Sequence, residues 1–297
     1  MKAMRRYAIL LLAFLILCKE EERKNHPPRI DRVRVSPEVI HSDDQIILNP
    51  VVSDPDGDKV KIDYHWYLNG AILAQAKSST LDVEIRKGDR IEVELIPDDG
   101  KIKGKSFHCG PFVVENSPPR ITDYNLTPLR LRTDTSLILT VQTEDVDGDR
   151  VEVNVDWKIN GEVCEQLKNR YQLSPGVFKR GDVISCVITA SDGEKSFQIE
   201  SVEIEALNGP PRFIDFSIRY DSGSVYLKIN AKDPDGDSVV LSVASGPEGI
   251  SVDQELLQLS WAVSGDPGTS YTDTLTLKLS DSSGGSSEVK IPVTVRF

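Results

Sequence analysis

The stretch Asp54-Pro55-Asp56-Gly57-Asp58 recurs as Asp145-Val146-Asp147-Gly148-Asp149 and again as Asp233-Pro234-Asp235-Gly236-Asp237. Each copy lies between two runs rich in valine, isoleucine, leucine and threonine, which favour β-strands. Aspartate accepts hydrogen bonds from nearby backbone N–H groups, and glycine tolerates positive φ. Each copy therefore predicts a tight turn between two strands, and we name the copies acidic turns 1, 2 and 3.

A second pattern marks the same period. Asn25-His26-Pro27-Pro28-Arg29 recurs as Asn116-Ser117-Pro118-Pro119-Arg120 and as Asn208-Gly209-Pro210-Pro211-Arg212, at spacings of 91 and 92 residues. A 297-residue chain accommodates three domains of this size. We therefore predict three tandem domains, which we call repeat 1 (27–116), repeat 2 (117–207) and repeat 3 (208–297).

Strand signals within the repeats are dense. Val60 to Leu68 alternates apolar and polar residues before Asn69-Gly70, a pair typical of a hairpin turn, and Leu81 to Ile85 alternates in the same way. About seven short strands per repeat indicate an Ig-like β-sandwich. The Pro-Pro pairs stiffen the connections. The predicted fold is all-β, with three Ig-like or cadherin-like sandwiches in an elongated rod behind an N-terminal signal helix.

Two tryptophans allow two interpretations. Trp66 and Trp157 fall on the apolar side of their predicted strands, like the buried tryptophan on strand C of immunoglobulin sandwiches. Core packing is the favoured interpretation. The alternative is a platform on which a sugar ring stacks, and this alternative requires an exposed indole.

Further sequence features resemble known surface domains. Repeat 3 contains Gly246-Pro247-Glu248-Gly249-Ile250, the strand Leu259-Ser260-Trp261 and a late Ser280-Asp281 with Gly284-Gly285. With acidic turn 3, these residues resemble the cadherin-like, putative Ig domains of the dystroglycan type. Repeats 1 and 2 resemble bacterial Ig-like and PKD-like surface domains. The resemblance implies extracellular binding or spacing modules without catalysis, and it implies Ca²⁺ at domain junctions.

The acidic turns are the candidate metal site. In a seven-stranded sandwich they are B–C loops, and the late Asp-Gly pairs are F–G loops at the same end. Carboxylate oxygens suit Ca²⁺, which takes six to eight oxygen ligands. A metal-free turn explains the same residues, and a catalytic acid pair is a third alternative. The candidate ligands are Asp54, Asp56, Asp58, Asp99, Asp145, Asp147, Asp149, Asp192, Asp233, Asp235, Asp237 and Asp281.

The N-terminus predicts export. Basic residues precede the apolar run from Tyr7 to Leu17, which is too short to span a bilayer as an ordinary helix. Cys18 follows this run and resembles the lipidated cysteine of bacterial lipoproteins, although Leu17 stands where a small residue is usual. We therefore predict a signal peptide with a lipobox-like cysteine (1–18) and a charged tether (19–26). The chain would be extracytoplasmic and membrane-anchored, in the bacterial outer membrane, the periplasm or at the cell surface.

Charge and cysteine content narrow the function. The formal net charge of −12 disfavours binding to phosphate backbones, so we expect no nucleic-acid partner. Cys164 and Cys186 are the candidate disulfide of repeat 2, and their alternative is to pack as free thiols. Since no catalytic motif stands out, we expect a non-enzymatic protein for adhesion, assembly or surface presentation, with a protein or glycan partner. Two alternatives are an accessory, carbohydrate-binding component of an enzyme system and a metal-free structural spacer.

Overall fold

A computed structural model describes residues 24–297. The predicted signal peptide, Cys18 and residues 19–23 of the tether lie outside the described residues. The fold is nearly all β, as predicted, and it divides into one compact unit that ends at Glu115 and a second that spans Asn116–Phe297. Within 24–297, no helix has the length and apolar character needed to cross a membrane.

Repeat 1 folds into two antiparallel sheets of the order β1-β2-β5 and β4-β3-β6-β7. In the lettering of immunoglobulin domains these are strands A-B-E and C′-C-F-G, and this arrangement places the fourth strand beside strand C. The seven strands are β1 (Arg29–Ser36), β2 (Ile46–Ser53), β3 (Lys61–Leu68), β4 (Ala71–Ile72), β5 (Thr80–Leu81), β6 (Arg90–Asp98) and β7 (Phe107–Val113).

Repeat 2 has the same strand order, β12-β9-β8 facing β11-β10-β13-β14, and its last strand is broken in two so that β15 also pairs with β13. A single 3₁₀ turn, Glu165–Leu167, follows the hairpin. The strands are β8 (Arg120–Thr127), β9 (Leu137–Glu144), β10 (Glu152–Ile159), β11 (Glu162–Val163), β12 (Gln172–Leu173), β13 (Val183–Ser191), β14 (Ser196–Glu200) and β15 (Ile204–Glu205).

Repeat 3 distributes its strands differently. Its sheets have the orders β16-β17-β20-β19 and β18-β21-β22, which correspond to A-B-E-D and C-F-G of a constant-type immunoglobulin domain. The fourth strand thus pairs with the E strand rather than with the C strand. The strands are β16 (Arg212–Asp221), β17 (Ser224–Lys232), β18 (Val240–Ser245), β19 (Ser251–Asp253), β20 (Gln258–Ala262), β21 (Ser270–Ser280) and β22 (Ser286–Arg296).

Each repeat encloses its own cluster of buried apolar side chains between its two sheets. Trp66 and Trp157 are both 0% exposed at the centres of their clusters, so the core interpretation of these tryptophans is correct and the sugar platform on them is excluded. Trp66 Nε1 donates to the Ser78 carbonyl, and Trp157 Nε1 donates to that of Arg170. These bonds satisfy the indole N–H groups inside the sandwiches.

The predicted turns form where expected, whereas one predicted strand is wrong. Asn69 and Gly70 both have positive φ, 52° and 79°, as a type I′ hairpin between β3 and β4 requires. The strand expected from Leu81 to Ile85 ends at Leu81, and Val83 is exposed. Alternation alone does not supply a pairing partner, and only Thr80 and Leu81 reach the edge of β2.

Candidate functional site: the acidic turns

The acidic turns lie at one end of each sandwich, as predicted from the strand order. Acidic turn 1 joins β2 to β3, and the late Asp99-Gly100 follows β6, which pairs with β3 along its whole length. The two loops therefore meet, and Lys101 Nζ donates to Asp58 Oδ2 at 2.7 Å. Repeats 2 and 3 place their loops in the same way, because β10 pairs with β13 and β18 pairs with β21.

The first aspartate of each turn shapes the loop. Asp145 Oδ1 accepts the backbone N–H groups of Asp147 and Asp149 at 2.9 and 3.1 Å. Gly148 has a φ of +78°, a conformation that side-chain-bearing residues seldom adopt. Asp54 and Asp233 make the corresponding pairs of bonds at 2.8–3.1 Å. The pattern Asp-x-Asp-Gly-Asp thus supplies hydrogen bonds that shape its own turn.

The middle aspartate anchors the start of each repeat. Asp56 accepts the backbone N–H of His26 at 2.6 Å, and its carboxylate also lies 3.1 Å from the His26 ring. In repeat 2, Asp147 accepts the N–H of Ser117 at 2.6 Å. Asp235 accepts the N–H of Gly209 at 2.8 Å in repeat 3. The acidic turn therefore holds the chain immediately before the Pro-Pro pair.

Three asparagines complete this bonding scheme, and the sequence reasoning did not select them as site residues. The side-chain amides of Asn25, Asn116 and Asn208 donate to the late aspartates Asp99, Asp192 and Asp281 at 2.7, 2.8 and 2.9 Å. The signal was present, since an asparagine precedes each Pro-Pro pair by two residues. The late aspartates also receive backbone N–H groups of their own loops, for example Ser283 and Gly285 on Asp281.

Acidic turn 2 is where carboxylates converge most closely. One oxygen from each of Asp145, Asp147 and Asp149 lies within 4.8 Å of the others, and this is the one such group found among residues 24–297. Two neighbouring oxygens are buried without a hydrogen-bond partner, Asp145 Oδ2 and the side-chain oxygen of Asn116, a residue that is 5% exposed. Buried acceptors without partners are costly, so this loop is suited to a hard cation.

Acidic turn 3 receives a positive charge from repeat 2. The Arg180 guanidinium donates to Asn208 Oδ1 at 2.8 Å, to Asp237 Oδ2 at 2.6 Å and to the Ser283 hydroxyl at 2.5 Å. In acidic turns 1 and 2, the oxygens that correspond to Asn208 Oδ1 have no hydrogen-bond partner. Arg180 thus serves the asparagine oxygen of turn 3, whereas Asp233 Oδ2 is buried without a hydrogen-bond partner, like Asp54 Oδ2 and Asp145 Oδ2.

These contacts lower the pKa of several carboxyl groups. Hydrogen bonds from Arg180 and Ser283 lower the pKa of Asp237, and Asp237 in turn raises the pKa of Arg180. The backbone N–H of His26 lowers the pKa of Asp56, and the Asn25 amide lowers the pKa of Asp99. Each group is held charged, and none of these shifts prepares a carboxyl group to act as an acid at neutral pH.

Repeats 2 and 3 are also joined by contacts outside the carboxylate loops. The Thr133 hydroxyl donates to Asp235 Oδ2 at 2.9 Å, and Arg212 pairs with Asp134 at 3.0 Å. Gly209 lies between them: a Cβ added there would come within 2.7 Å of Pro234 and of the Thr133 hydroxyl. This junction therefore has no space for a side chain at position 209.

Cys164 and Cys186 of repeat 2 are free thiols in the structure and do not form a disulfide. This arrangement is the second of the two alternatives given for this pair. Cys186 is buried on β13 directly across from Trp157, and burial raises the pKa of its thiol. Cys164 is half-buried after β11, with its Sγ 3.7 Å from the Glu162 carbonyl. Cys109 is likewise free and half-buried. The described cysteines thus contribute to packing.

Comparisons with known proteins give fold-level likeness only. No protein-family model matches the chain, and no curated protein does. Among solved structures, the eight N-terminal Ig domains of the Down Syndrome Cell Adhesion Molecule are 15% identical over 90% of this chain and 36% of that one, with a TM-score of 0.41.

Two further structures have lower scores. Drosophila N-cadherin EC1-4 is 13% identical over 90% of this chain and 75% of that one, with a TM-score of 0.26. The three N-terminal domains of the bacteriophage RB49 Highly Immunogenic Outer Capsid protein are 12% identical over 91% and 97%, with a TM-score of 0.29. All three TM-scores are below 0.5, so the fold assignment depends on the strand order described above.

Proposed function

We propose that this chain is a non-catalytic, extracytoplasmic protein that is anchored through Cys18 and uses its Ig-like repeats for adhesion, assembly or surface presentation. The observation that supports this proposal is the bonding scheme at the acidic turns. The same asparagine, backbone N–H and aspartate contacts occur in all three repeats. The acidic residues therefore stabilise one end of each repeat, as expected of a scaffold protein.

The anchoring and location can be tested on cells that produce the full chain. We expect the protein in the membrane fraction, digestion by protease added to intact cells or spheroplasts, and a diacyl or triacyl mass on Cys18. A Cys18→Ser variant should move to the soluble fraction. Recovery of an unmodified, protease-protected protein from the cytoplasm would refute the location and the anchor together.

The binding role requires a separate experiment. We expect crosslinking in intact cells, followed by capture of the full chain, to recover a protein or glycan of the cell envelope. The alternative of a carbohydrate-binding accessory module predicts retention on polysaccharide columns. Trp66 and Trp157 are fully buried, so such retention would have to come from other aromatic residues. A chain that captures neither class of partner would be a structural spacer.

We also propose that acidic turn 2 binds one Ca²⁺ ion. The carboxylates of Asp145, Asp147 and Asp149 would supply oxygen ligands, with Asp145 Oδ2 as the acceptor that lacks a hydrogen-bond partner. The ion would offset the mutual repulsion of three carboxylates and stiffen the loop that holds the start of repeat 2. Among residues 24–297, three carboxylates converge in this way at turn 2 alone.

Isothermal titration of the full chain with CaCl₂ tests this assignment. We expect one site in the unmodified chain, loss of that site in Asp145→Asn, and one site retained in the matched variant Asp233→Asn. Two sites that both survive Asp145→Asn would locate the ion elsewhere. Absence of heat and of any rise in melting temperature at millimolar Ca²⁺ would support the metal-free alternative.

A further inference from the structure

Strand β16 forms an open edge of one sheet of repeat 3. It stands at the end of the sheet order β16-β17-β20-β19, so only one of its two sides is paired. It has ten residues, and such a long open edge is a template for another strand. Natural proteins protect edges with short strands, bulges or charges directed inward. The register shift of β16 lies at Phe213–Asp215, and the inward residues beyond it, Phe216, Ile218 and Tyr220, carry no charge.

The inner face of β16 is apolar and half-uncovered. Phe216, Ile218 and Tyr220 pair across the sheet with the buried residues Ile229, Leu227 and Val225, so their side chains lie on the core side. Nevertheless Phe216, Ile218 and Tyr220 are 43–49% exposed, even though the Tyr220 ring meets that of Phe297 edge-on at 6.3 Å. The core of repeat 3 therefore extends to an edge that lacks a covering strand.

The outer face of β16 carries a self-complementary charge pattern. Asp215, Ser217 and Arg219 alternate with the apolar residues and are exposed. If a second β16 lies antiparallel with Ser217 on the two-fold axis, Asp215 faces Arg219 of the copy and Arg219 faces its Asp215. In the same register Phe216 lies opposite Ile218. Opposite charges and apolar side chains directly across a strand pair both stabilise a sheet.

We propose that two copies of this chain associate through β16, forming one continuous sheet across a two-fold axis centred on Ser217. The pairing extends over residues 215–219, because the register of β16 shifts between Phe213 and Asp215. An isologous contact of this kind closes on itself and gives a dimer rather than a fibre. The inference depends on this strand and not on the proposed adhesive role.

Charge reversal provides the test, with the full chain as the sample. Asp215→Arg places two arginines opposite each other in the homodimer, and Arg219→Asp places two aspartates there. We expect each single variant to dimerise about tenfold more weakly than the unmodified chain in sedimentation equilibrium. An equal mixture of the two variants should recover the dimer, since the heterodimer restores both opposite-charge pairs.

A cysteine at the axis tests the register. Ser217→Cys should crosslink to its own copy under mild oxidation. The matched variant Ser251→Cys, exposed on β19 at the other edge of the same sheet, should not crosslink above the level of the unmodified chain. Circular dichroism melting of every variant checks that repeat 3 remains folded.

Several outcomes would overturn the proposal. A monomer at the highest soluble concentration would refute it. A dimer that survives both single charge reversals, or a mixture of the variants that stays monomeric, would remove β16 from the contact. Equal crosslinking of Ser217→Cys and Ser251→Cys would refute the register. Capture of an extended segment of another protein by monomeric chain would assign the edge to a different partner.

Discussion

Repeats 2 and 3 share the turn pattern Asp-x-Asp-Gly-Asp but differ in how its carboxylates are arranged. In acidic turn 2 three carboxylates converge within 4.8 Å of one another. In acidic turn 3 Arg180 reaches from repeat 2 to Asp237 and Asn208. The five-residue pattern therefore specifies the turn, whereas neighbouring side chains determine which of its acceptors are hydrogen-bonded.

The cores of the two repeats differ in a related way. Trp157 stands on the C strand and its Nε1 donates to the Arg170 carbonyl at 2.7 Å. Trp261 stands on the E strand, and its buried Nε1 has no partner. The change of strand accompanies the move of the fourth strand from one sheet to the other. Each of the two repeats thus has one tryptophan in its core, on the C strand in repeat 2 and on the E strand in repeat 3.

Substitution of these tryptophans should cause the largest loss of stability. Trp157→Phe should lower the opening free energy of repeat 2 by about 2–3 kcal/mol, because it removes buried volume and leaves the Arg170 carbonyl without its donor. Trp261→Phe should cost about 1 kcal/mol in repeat 3, since it also removes an unsatisfied donor. Hydrogen exchange read by mass spectrometry on β13 and β17 measures each opening separately. Equal costs in the two repeats would contradict the comparison.

The next largest loss of stability should follow substitution of the first aspartate of a turn. Asp233 is 5% exposed and accepts two backbone N–H groups close to Arg180, so Asp233→Asn should cost about 2 kcal/mol. Asp145→Asn weakens the same two bonds but relieves repulsion within the carboxylate group of turn 2. Without Ca²⁺ its cost should stay below about 0.5 kcal/mol, as judged by chemical denaturation. A reversed order of the two costs would disprove this account.

Much of the fold follows from local patterns. The period of the acidic turns and the Asn-Gly hairpins predicted the β-sandwich class, and alternation placed Trp66 and Trp157 in their cores. Two features did not follow. Val83 continues the alternation of a strand that has no partner there, and the fourth strand of repeat 3 joins the other sheet. Both depend on contacts between segments distant in sequence, which periodicity does not encode.

The candidate site was predictable only in part. Twelve aspartates carried the pattern, and the structure places each at its loop, yet only Asp145, Asp147 and Asp149 converge as a carboxylate group among residues 24–297. Arg180 was invisible as a site residue because it belongs to the preceding repeat and lies 57 positions from Asp237. A repeat pattern therefore reveals what each loop contains, and it omits what a neighbouring repeat brings to that loop.

Removing Arg180 should leave acceptors of turn 3 open to a cation. Arg180→Gln keeps a polar side chain but leaves the carboxylates of turn 3 without the guanidinium, so a second Ca²⁺ site should appear in titration calorimetry. At tenfold excess over the dissociation constant, that site would add about 1.4 kcal/mol of stability. Lys179→Gln is the matched control, because its neighbour Arg180 and the Asp182-capped turn are unchanged. Unchanged Ca²⁺ stoichiometry in Arg180→Gln would refute charge replacement.

The smallest expected effect is on acid stability. Arg180 and Ser283 lower the pKa of Asp237 below its ordinary value of 3.8, so the unfolded chain binds a proton more readily than the folded chain. The resulting stabilisation is therefore fully present above that value and is lost as pH falls toward the folded pKa. Thermal melts of repeat 3 from pH 5 to pH 2 should show a steeper decline in the unmodified chain than in Arg180→Gln. Arg180 makes these contacts with acidic turn 3, so the same substitution should leave the acid melt of repeat 2 unchanged. An equal change in both repeats would mean that Arg180 acts through the overall charge of the chain rather than through Asp237.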